Sequence, residues 1–376
     1  MTSPLDVSSK LRVLLPLLLA AAILLPAVAP ARADAATWTI RGGGFGHGVG
    51  MSAYGAYGMG LDGYKYGRIL RHYYRGIKIR KVRAKRNIKV LLDVSSAPRF
   101  SGARWACGRK LRPRLTYSAD LGRIGIFLRG GGGKPLKKCG RVLRTEASGS
   151  VVFKGLGHYR GGVEIKRGGG SLYVINNVPL NLYCRGVLAG ELIPSWPMET
   201  LKAFALAARS IGLTAKGTHD GFDVYPDTRS QVYKPISAEF SRTNRACAQT
   251  ASQALYYGGK VALALFSASS GGHTESVQNV FFNGAIPYLR GVPDPWDKVS
   301  PYHRWSYRYS HARMNSLLSN YVSGRLRGIQ VTRTGVSGRV IWARLTGTRG
   351  TTRIRGDSFQ YALGLPDRLI VGISVR

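Results

Sequence analysis

The stretch from Gly186 to Ser210, GVLAGELIPSWPMETLKAFALAARS, leaves the chain few ways to fold. It carries one acid, Glu191, into a segment punctuated by Pro194, Ser195 and Pro197, residues that cannot easily continue a helix but can start one. Beyond it Leu201, Phe204, Ala205, Ala208 and Ile211 recur at helical spacing and predict a buried stripe. Lys202 and Arg209 lie seven apart, so they share the other face. The reading is an acid just ahead of a helix N-terminus, with cationic side chains further down. By residue type alone, such an acid complements the helix dipole and needs no further role.

The chain opens with Lys10 and Arg12, an apolar run from Val13 to Ala29, and then Ala31-Arg32-Ala33. A charged start, an apolar middle and a small-residue cleavage site predict a secretory leader, 1–33. An uncleaved anchor is the alternative, but Pro16 and Pro26 interrupt the run and it is short for a membrane span. Lys and Arg number 56 against 18 acids, a formal charge of +38 spread along the whole length. Such a field holds a protein on polyanions. Inside a cell that would mean nucleic acid; for an exported chain it means anionic wall polymers or lipid headgroups, and nucleic acid is not expected as a partner. With 49 Gly and 17 Pro, many short strands and turns are predicted.

Four Cys in an exported chain suggest two disulfides, with three possible connectivities. Cys107 and Cys139 bracket a basic, glycine-rich region and are expected to pair, which leaves Cys184 for Cys247. A zinc site is the alternative, but four dispersed Cys without a C-x-x-C pair argue against it.

After the leader comes Trp38-Thr-Ile-Arg-Gly-Gly-Gly-Phe-Gly-His47-Gly-Val-Gly-Met51-Ser52-Ala-Tyr54-Gly55-Ala56, a short strand running into a glycine loop and a helix that extends to Tyr73-Tyr74-Arg75-Gly76. Gly48 to Ala53 fits G-x-G-x-x-A, but no βαβ unit or ribose-binding acid accompanies it. Taken together, the two stretches resemble the signatures of the SpoIID/LytB family, the sporulation-protein-D type of peptidoglycan lytic transglycosylases and amidase enhancers. One family signature resembles G-V-x-x-x-E-M-P-x-x-W-P-x-E-A-L-K-A-Q-A-x-A-A-R-T; Gly186, Val187, Glu191, Trp196, Pro197, Glu199, Leu201, Lys202, Ala203, Ala205, Ala207, Ala208 and Arg209 fall in place. Leu192, Ile193 and Phe204 stand where the family has Met, Pro and Gln. The other resembles G-x-G-H-G-V-G-M-S-Q-Y-G-A followed by I-L-x-H-Y-Y-x-G, with Ala53 in place of Gln.

Position is the departure. In the sporulation members the glycine motif closes the chain; here it opens it, and Gly356 to Leu365 resembles what normally precedes it. The sequence therefore resembles a circular permutant, and the glycine loop is expected to reach the same cleft from the other end. Further resemblance runs through Tyr159 to Leu180, Ser270-Gly271-Gly272-His273-Thr274-Glu275, Pro293-Asp-Pro-Trp-Asp297 and Ser300-Pro-Tyr-His303. The implied architecture is α+β: a strand-rich SpoIID-like domain with a central catalytic helix and a small inserted strand and loop region. Its parts are the motif segment 37–84, an inserted basic region 85–148 and a main domain 149–376. The inserted region carries no family motif; it is either a wall-binding insertion or a set of solvated loops.

The resemblance implies peptidoglycan glycan strands as substrate and Glu191 as a single general acid and base. Ordinary glycosidases use two carboxylates, but one suffices if the substrate's own hydroxyl is the nucleophile. Arg209 is expected to bind a substrate carboxylate or acetamido group, with His47, Ser52, Tyr54, Gln231, Tyr233, Ser270, Gly271 and Gly272 as further substrate contacts. For His47, Gln231 and Tyr233 a packing role is the alternative. Ser270, His273 and Glu275 lie too close in sequence for a serine-hydrolase triad. Where many members hold zinc through two Cys, this chain has Tyr225 and Ser230, so neither metal nor cofactor is expected. The rival reading is a non-catalytic peptidoglycan-binding or amidase-enhancing protein, which would have a cell-wall amidase as partner.

Overall fold

Alternating apolar residues build much of this molecule as strands, and its two longest helices flank the turn after Glu191. The computed structural model describes residues 36–82, 86–146, 149–282 and 284–376; the expected leader lies outside them. The fold is α+β, as the sequence implies. Strand-like alternation at 88–94, 125–128, 151–153, 162–165 and 172–175 matches the strands Asn87–Ser95, Gly125–Arg129, Ser150–Phe153, Gly162–Gly168 and Ser171–Pro179. Asn87–Ser95, Ser171–Pro179, Gly162–Gly168 and Val142–Arg144 make one antiparallel sheet. A six-stranded sheet lies beside it in the order Pro135–Gly140, Gly125–Arg129, Tyr117–Gly122, Arg99–Ser101, Ser150–Phe153, Gly157–Arg160. The basic region thus has its own sheet, and that sheet also takes strands as far as Arg160.

Five helices matter for the site. The expected single helix after the glycine loop is two: α1, Ala53–Leu61, and α2, Tyr66–Tyr73. Asp62 ends α1 and Gly63, at φ +78°, turns the chain. Gly55, Gly58 and Gly60 let α1 lie against neighbours that a Cβ would strike: Asp294, the Trp296 carbonyl and Thr200. Helix α3, Leu180–Glu191, precedes the proline turn, and α4, Met198–Thr214, follows it. The predicted stripe Leu201, Phe204, Ala205, Ala208 and Ile211 is buried, but so is nearly every other residue from Thr200 to Gly212. Such a helix is central, walled by α1, α2, α3, α5 (Ser241–Gln249) and the strand Gln253–Tyr257. The chain reverses at Gly258-Gly259, and the hairpin so formed pairs Gln253–Tyr257 with the short Lys260–Val261.

A second, smaller apolar core joins Trp38 and Ile40 of the first strand to Met314, Leu318, Leu345, Phe359 and Leu363. There the first strand, Thr37–Gly43, lies between Trp305–Ser310 and the last strand, Leu369–Val375, antiparallel to both. The two ends of this part of the chain meet: the Thr37 N–H donates to the Arg376 carbonyl at 2.6 Å, and the Arg376 N–H returns the bond at 3.1 Å.

Candidate active site

Glu191 is the last residue of α3, and it continues the buried stripe of Cys184, Val187 and Leu188. That register carries a carboxylate toward the interior. Leu192 adopts an extended conformation and ends the helix, and the turn through Pro194 and Pro197 folds Trp196 back over the acid. Glu191 lines a cleft of about 190 Å³ together with Ala53, Tyr54, Ile193, Trp196, Phe204, Phe266, Ser267 and Ala268. Among these lining residues Glu191 is the only carboxylate, and none carries a positive charge. The Val232 N–H donates to Glu191 Oε1 at 2.6 Å. Burial pushes the carboxyl above its usual range, and the Val232 bond only partly opposes this. Aromatic rings form one side: Tyr57 stacks on Trp196 at 4.9 Å, and Tyr54 meets Trp196 edge-on at 5.3 Å. Burial, with the nearby Tyr302 and Tyr57 phenols, raises the Tyr54 hydroxyl as well, so it stays a neutral donor.

The glycine loop reaches this region but does not leave its backbone bare for a ligand. Gly44, Gly46, Gly48 and Gly50 all have positive φ, between +74° and +106°. A Cβ on Gly50 would collide with the Leu265 carbonyl, and one on Gly48 with the Arg339 guanidinium. The alternation folds the loop onto Phe266–Ser267, which pairs in parallel with Met51–Ser52, and so sets Ala53 and Tyr54 into the cleft wall. His47 is half-buried beside Phe281 and is not among the residues lining the cleft. Its Nδ1 accepts from the Val49 N–H at 3.0 Å. Burial first, then the Arg339 and Arg368 charges, push the imidazole down to about 4, so it is neutral.

Behind the loop lies a buried carboxylate pair. Asp297 accepts from the Ser52 hydroxyl at 3.0 Å, the Ser269 hydroxyl, and the Ser270 and Gly271 N–H groups at 2.8 and 2.9 Å. His303 Nδ1 lies 3.1 Å from its other oxygen. Asp294 accepts from Tyr73 at 2.9 Å and from the Ser270 hydroxyl at 2.7 Å. Burial, with Asp297 close by, pushes Asp294 up to about 7. This cluster ties Pro293–Asp297 to the Ser-Gly-Gly loop and to the start of α1, where Ser52 also caps the helix through the Gly55 N–H at 3.1 Å.

Several expected contacts are therefore structural. Arg209 is 0% exposed, and its guanidinium donates to the carbonyls of Ala205 and Cys247, at 3.1 and 2.6 Å, and to Thr250. It ties α4 to α5 and does not reach the cleft; the solvent-facing stripe expected through Lys202 and Arg209 holds only at Lys202, which pairs with Glu199 at 2.8 Å. Gln231 is buried and bonds the Tyr183 hydroxyl at 2.8 Å, although the Val232 beside it holds Glu191. Tyr233 is buried between Tyr159 and Tyr183, with its hydroxyl on Asn176 at 2.7 Å. Ser52, Ser270 and Gly271 are enclosed in the Asp297 cluster, and Gly272, at φ +104°, donates to the Ser270 hydroxyl at 3.1 Å. Of the proposed contacts, Tyr54 shares the cleft with Glu191. Among the described residues no three of His, Cys, Asp and Glu cluster to hold a metal; Ser230 instead accepts from the Tyr225 N–H at 3.1 Å. Cys107 pairs with Cys139, and Cys184 with Cys247, so the second disulfide locks α3 to α5 one helical stretch below Glu191.

Sequence reasoning did not anticipate the walls formed by Phe266 to Ala268, or the Asp294–Asp297 pair. Apart from His303, six residues beyond Asp297, the partners of the pair lie 24 to 245 residues away, so local spacing does not announce them. The acids inside Pro293-Asp-Pro-Trp-Asp297 were the only available signal.

Residues 168–257, which hold Glu191, α3, α4 and α5, match the family model described as SpoIID, stage II sporulation protein. The chain is 36% identical over 156 residues to an uncharacterised protein of Brachyspira hyodysenteriae, covering 40% of this chain and 41% of that protein. It is 29% identical over 213 residues to stage II sporulation protein D of Bacillus amyloliquefaciens, covering 52% and 60%. It is 35% identical over 133 residues to the amidase enhancer of Bacillus subtilis, covering 35% and 17%. The chain thus spans less than two thirds of the length of each of these relatives. The matched domain over residues 168–257 and these relatives support the SpoIID/LytB family for this chain.

Proposed function

We propose that this is an exported, wall-associated protein that cleaves peptidoglycan glycan strands by non-hydrolytic transglycosylation, with Glu191 as acid and then base. The observation that carries the reading is one half-buried carboxyl, held above its usual range, in an aromatic-walled cleft that presents no second carboxylate. Asp294 and Asp297 are fully buried and already bonded, and Glu199 is paired with Lys202. A hydrolase would need a second acid to activate water; a transglycosylase does not. Protonated Glu191 gives its proton to the oxygen between N-acetylmuramic acid C1 and N-acetylglucosamine, and that C1–O bond breaks. The resulting carboxylate takes the proton of the muramic C6 hydroxyl as its oxygen bonds C1. A 1,6-anhydro ring closes, Glu191 is again protonated, and no water is consumed. The carboxyl must start protonated, which is what burial favours.

A binding or amidase-enhancing role is the second reading. It is favoured by the relative named amidase enhancer and by the withdrawal of Arg209, Gln231 and Tyr233 into the core, which leaves few polar groups to grip a sugar. The test uses peptide-free glycan strands with the wild-type chain and Glu191→Gln, and follows the new ends by mass spectrometry. Anhydro-muramic ends that fall at least 100-fold in the variant are expected. Reducing ends would mean hydrolysis, and strands bound but left intact would establish the second reading.

A further inference from the structure

Between Arg99 and Arg144 the chain holds thirteen Lys and Arg and a single acid, Asp120. That acid is taken up by Arg129, at 2.6 and 2.8 Å, and Arg144 reaches Glu164 at 3.1 Å. Among the described residues no other cation of this stretch pairs with an acid, and all but Arg129 are exposed. These charges are not on a floppy arm. They lie on the six-stranded sheet and on the small hairpin, loops and short strand around it, and the buried face of that sheet carries Phe100, Tyr117, Ala119, Ile126, Leu128, Val151 and Phe153.

The Cys107–Cys139 disulfide pins the small hairpin of Trp105–Ala106 and Arg109–Lys110 to the edge strand Pro135–Gly140. Beside that pin is a cleft of about 300 Å³ with Arg109, Lys110, Arg112 and Lys134 around a floor that includes Leu111, Leu115, Tyr117 and Leu136. Arg109 Nη1 donates to the Leu136 carbonyl at 3.1 Å, and no acid lines the cleft. Four like charges gathered on a rigid scaffold repel one another unless an anion lies between them. The cleft around Glu191, by contrast, is lined by no cation.

We propose that this basic module is a docking site for a phosphodiester polymer, with Arg109, Lys110, Arg112 and Lys134 on successive phosphates. Guanidinium forks match phosphate oxygens in pairs. The apolar floor suits the uncharged polyol or sugar between one phosphate and the next. The site is separate from the Glu191 cleft and holds whether or not that cleft cuts.

The test measures binding of the full chain without its leader to poly(glycerol phosphate) over a series of salt concentrations. One variant carries Arg109→Gln, Lys110→Gln, Arg112→Gln and Lys134→Gln. A second removes the same charge from another exposed sheet, through Arg325→Gln, Arg327→Gln, Arg333→Gln and Arg344→Gln. The first is expected to lose at least tenfold in affinity and to flatten the log–log salt slope by about 3, at roughly 0.7 counterions per cation for a single-stranded polyanion. The second is expected to lose less than threefold, and both should treat peptide-free glycan strands as the wild type does. Equal losses in the two variants would reduce the effect to net charge and overturn the proposal. So would polyglutamate binding as tightly as poly(glycerol phosphate). If the fourfold variant does not fold, Lys110→Gln with Lys134→Gln is read by the same criteria.

Discussion

A carboxylate where Glu191 sits costs stability, because its charged form has exchanged water for Trp196, Phe204, Phe266 and Ile193. The folded-state pKa is raised, so the stabilising contribution is fully present below the unfolded value near 4.3 and is lost as pH rises through the folded value. Glu191→Gln keeps an acceptor for the Val232 N–H but cannot ionise. The variant should therefore be more stable than wild type at pH 7, by on the order of 1 kcal/mol, and the two should converge near pH 4 in thermal unfolding. Cleavage by the wild type should fall as pH rises through the same raised pKa, because only the acid form can start the reaction. Asp294, pushed up to about 7, adds a second loss of stability with rising pH that Glu191→Gln leaves in place. Arg209 teaches the opposite lesson. Its sequence position marked it as solvent-facing, yet three carbonyls and a hydroxyl accept from its two terminal nitrogens in the core, and its buried Nε has no partner. A charge that bonds only to uncharged groups cannot be told from a surface charge by spacing.

At the level of elements, α4 was legible because its apolar residues keep a 3.6-residue period and the prolines mark its start. Helix α3 was not. Its sequence, LNLYCRGVLAGE, has two glycines, which lower helix propensity. They are there for packing: a Cβ on Gly186 would strike Tyr233, and one on Gly190 would strike Val232, the residue that bonds Glu191. The strands were legible from alternation, and the break between α1 and α2 was missed because Gly63, which makes it, is one of several glycines that the two helices themselves contain. The Cys184–Cys247 bond holds α3 in this setting. It closes a 63-residue separation, for which loop-closure entropy gives about 4 kcal/mol as a ceiling. Replacing both by Ala should lower stability by about 2–4 kcal/mol in denaturant unfolding, while the Cys107–Cys139 bond stays intact.

On the scale of the whole molecule, the permuted order expected from the sequence can be tested, because the first and last strands pair antiparallel. Joining Arg376 to Thr37 through a short glycine-rich linker would turn that pair into a hairpin. New ends could be opened at Gly131–Gly133, an exposed turn that borders the basic cleft and does not line the Glu191 cleft. In this rearranged chain the glycine motif follows the segment ending at Leu365, the order that the sequence resemblance implies for an unpermuted chain. It is expected to fold with a melting temperature within about 5 °C of the original and to retain its behaviour toward glycan strands. An unfolded product would show that the present order of segments is required.

The first strand also has a timetable. Its two neighbours begin at Trp305 and Leu369, so a chain growing from its N-terminus makes Thr37–Gly43 early and must keep it waiting. At ordinary synthesis rates of about 5–20 residues per second, the last neighbour arrives roughly 15–65 s later. The glycine loop that places Ala53 and Tyr54 beside Glu191 hangs from that strand. The wall of the cleft that is made first thus waits for Phe266–Ser267 to pair with Met51–Ser52, and the strand it hangs from waits longer still, for Leu369–Val375.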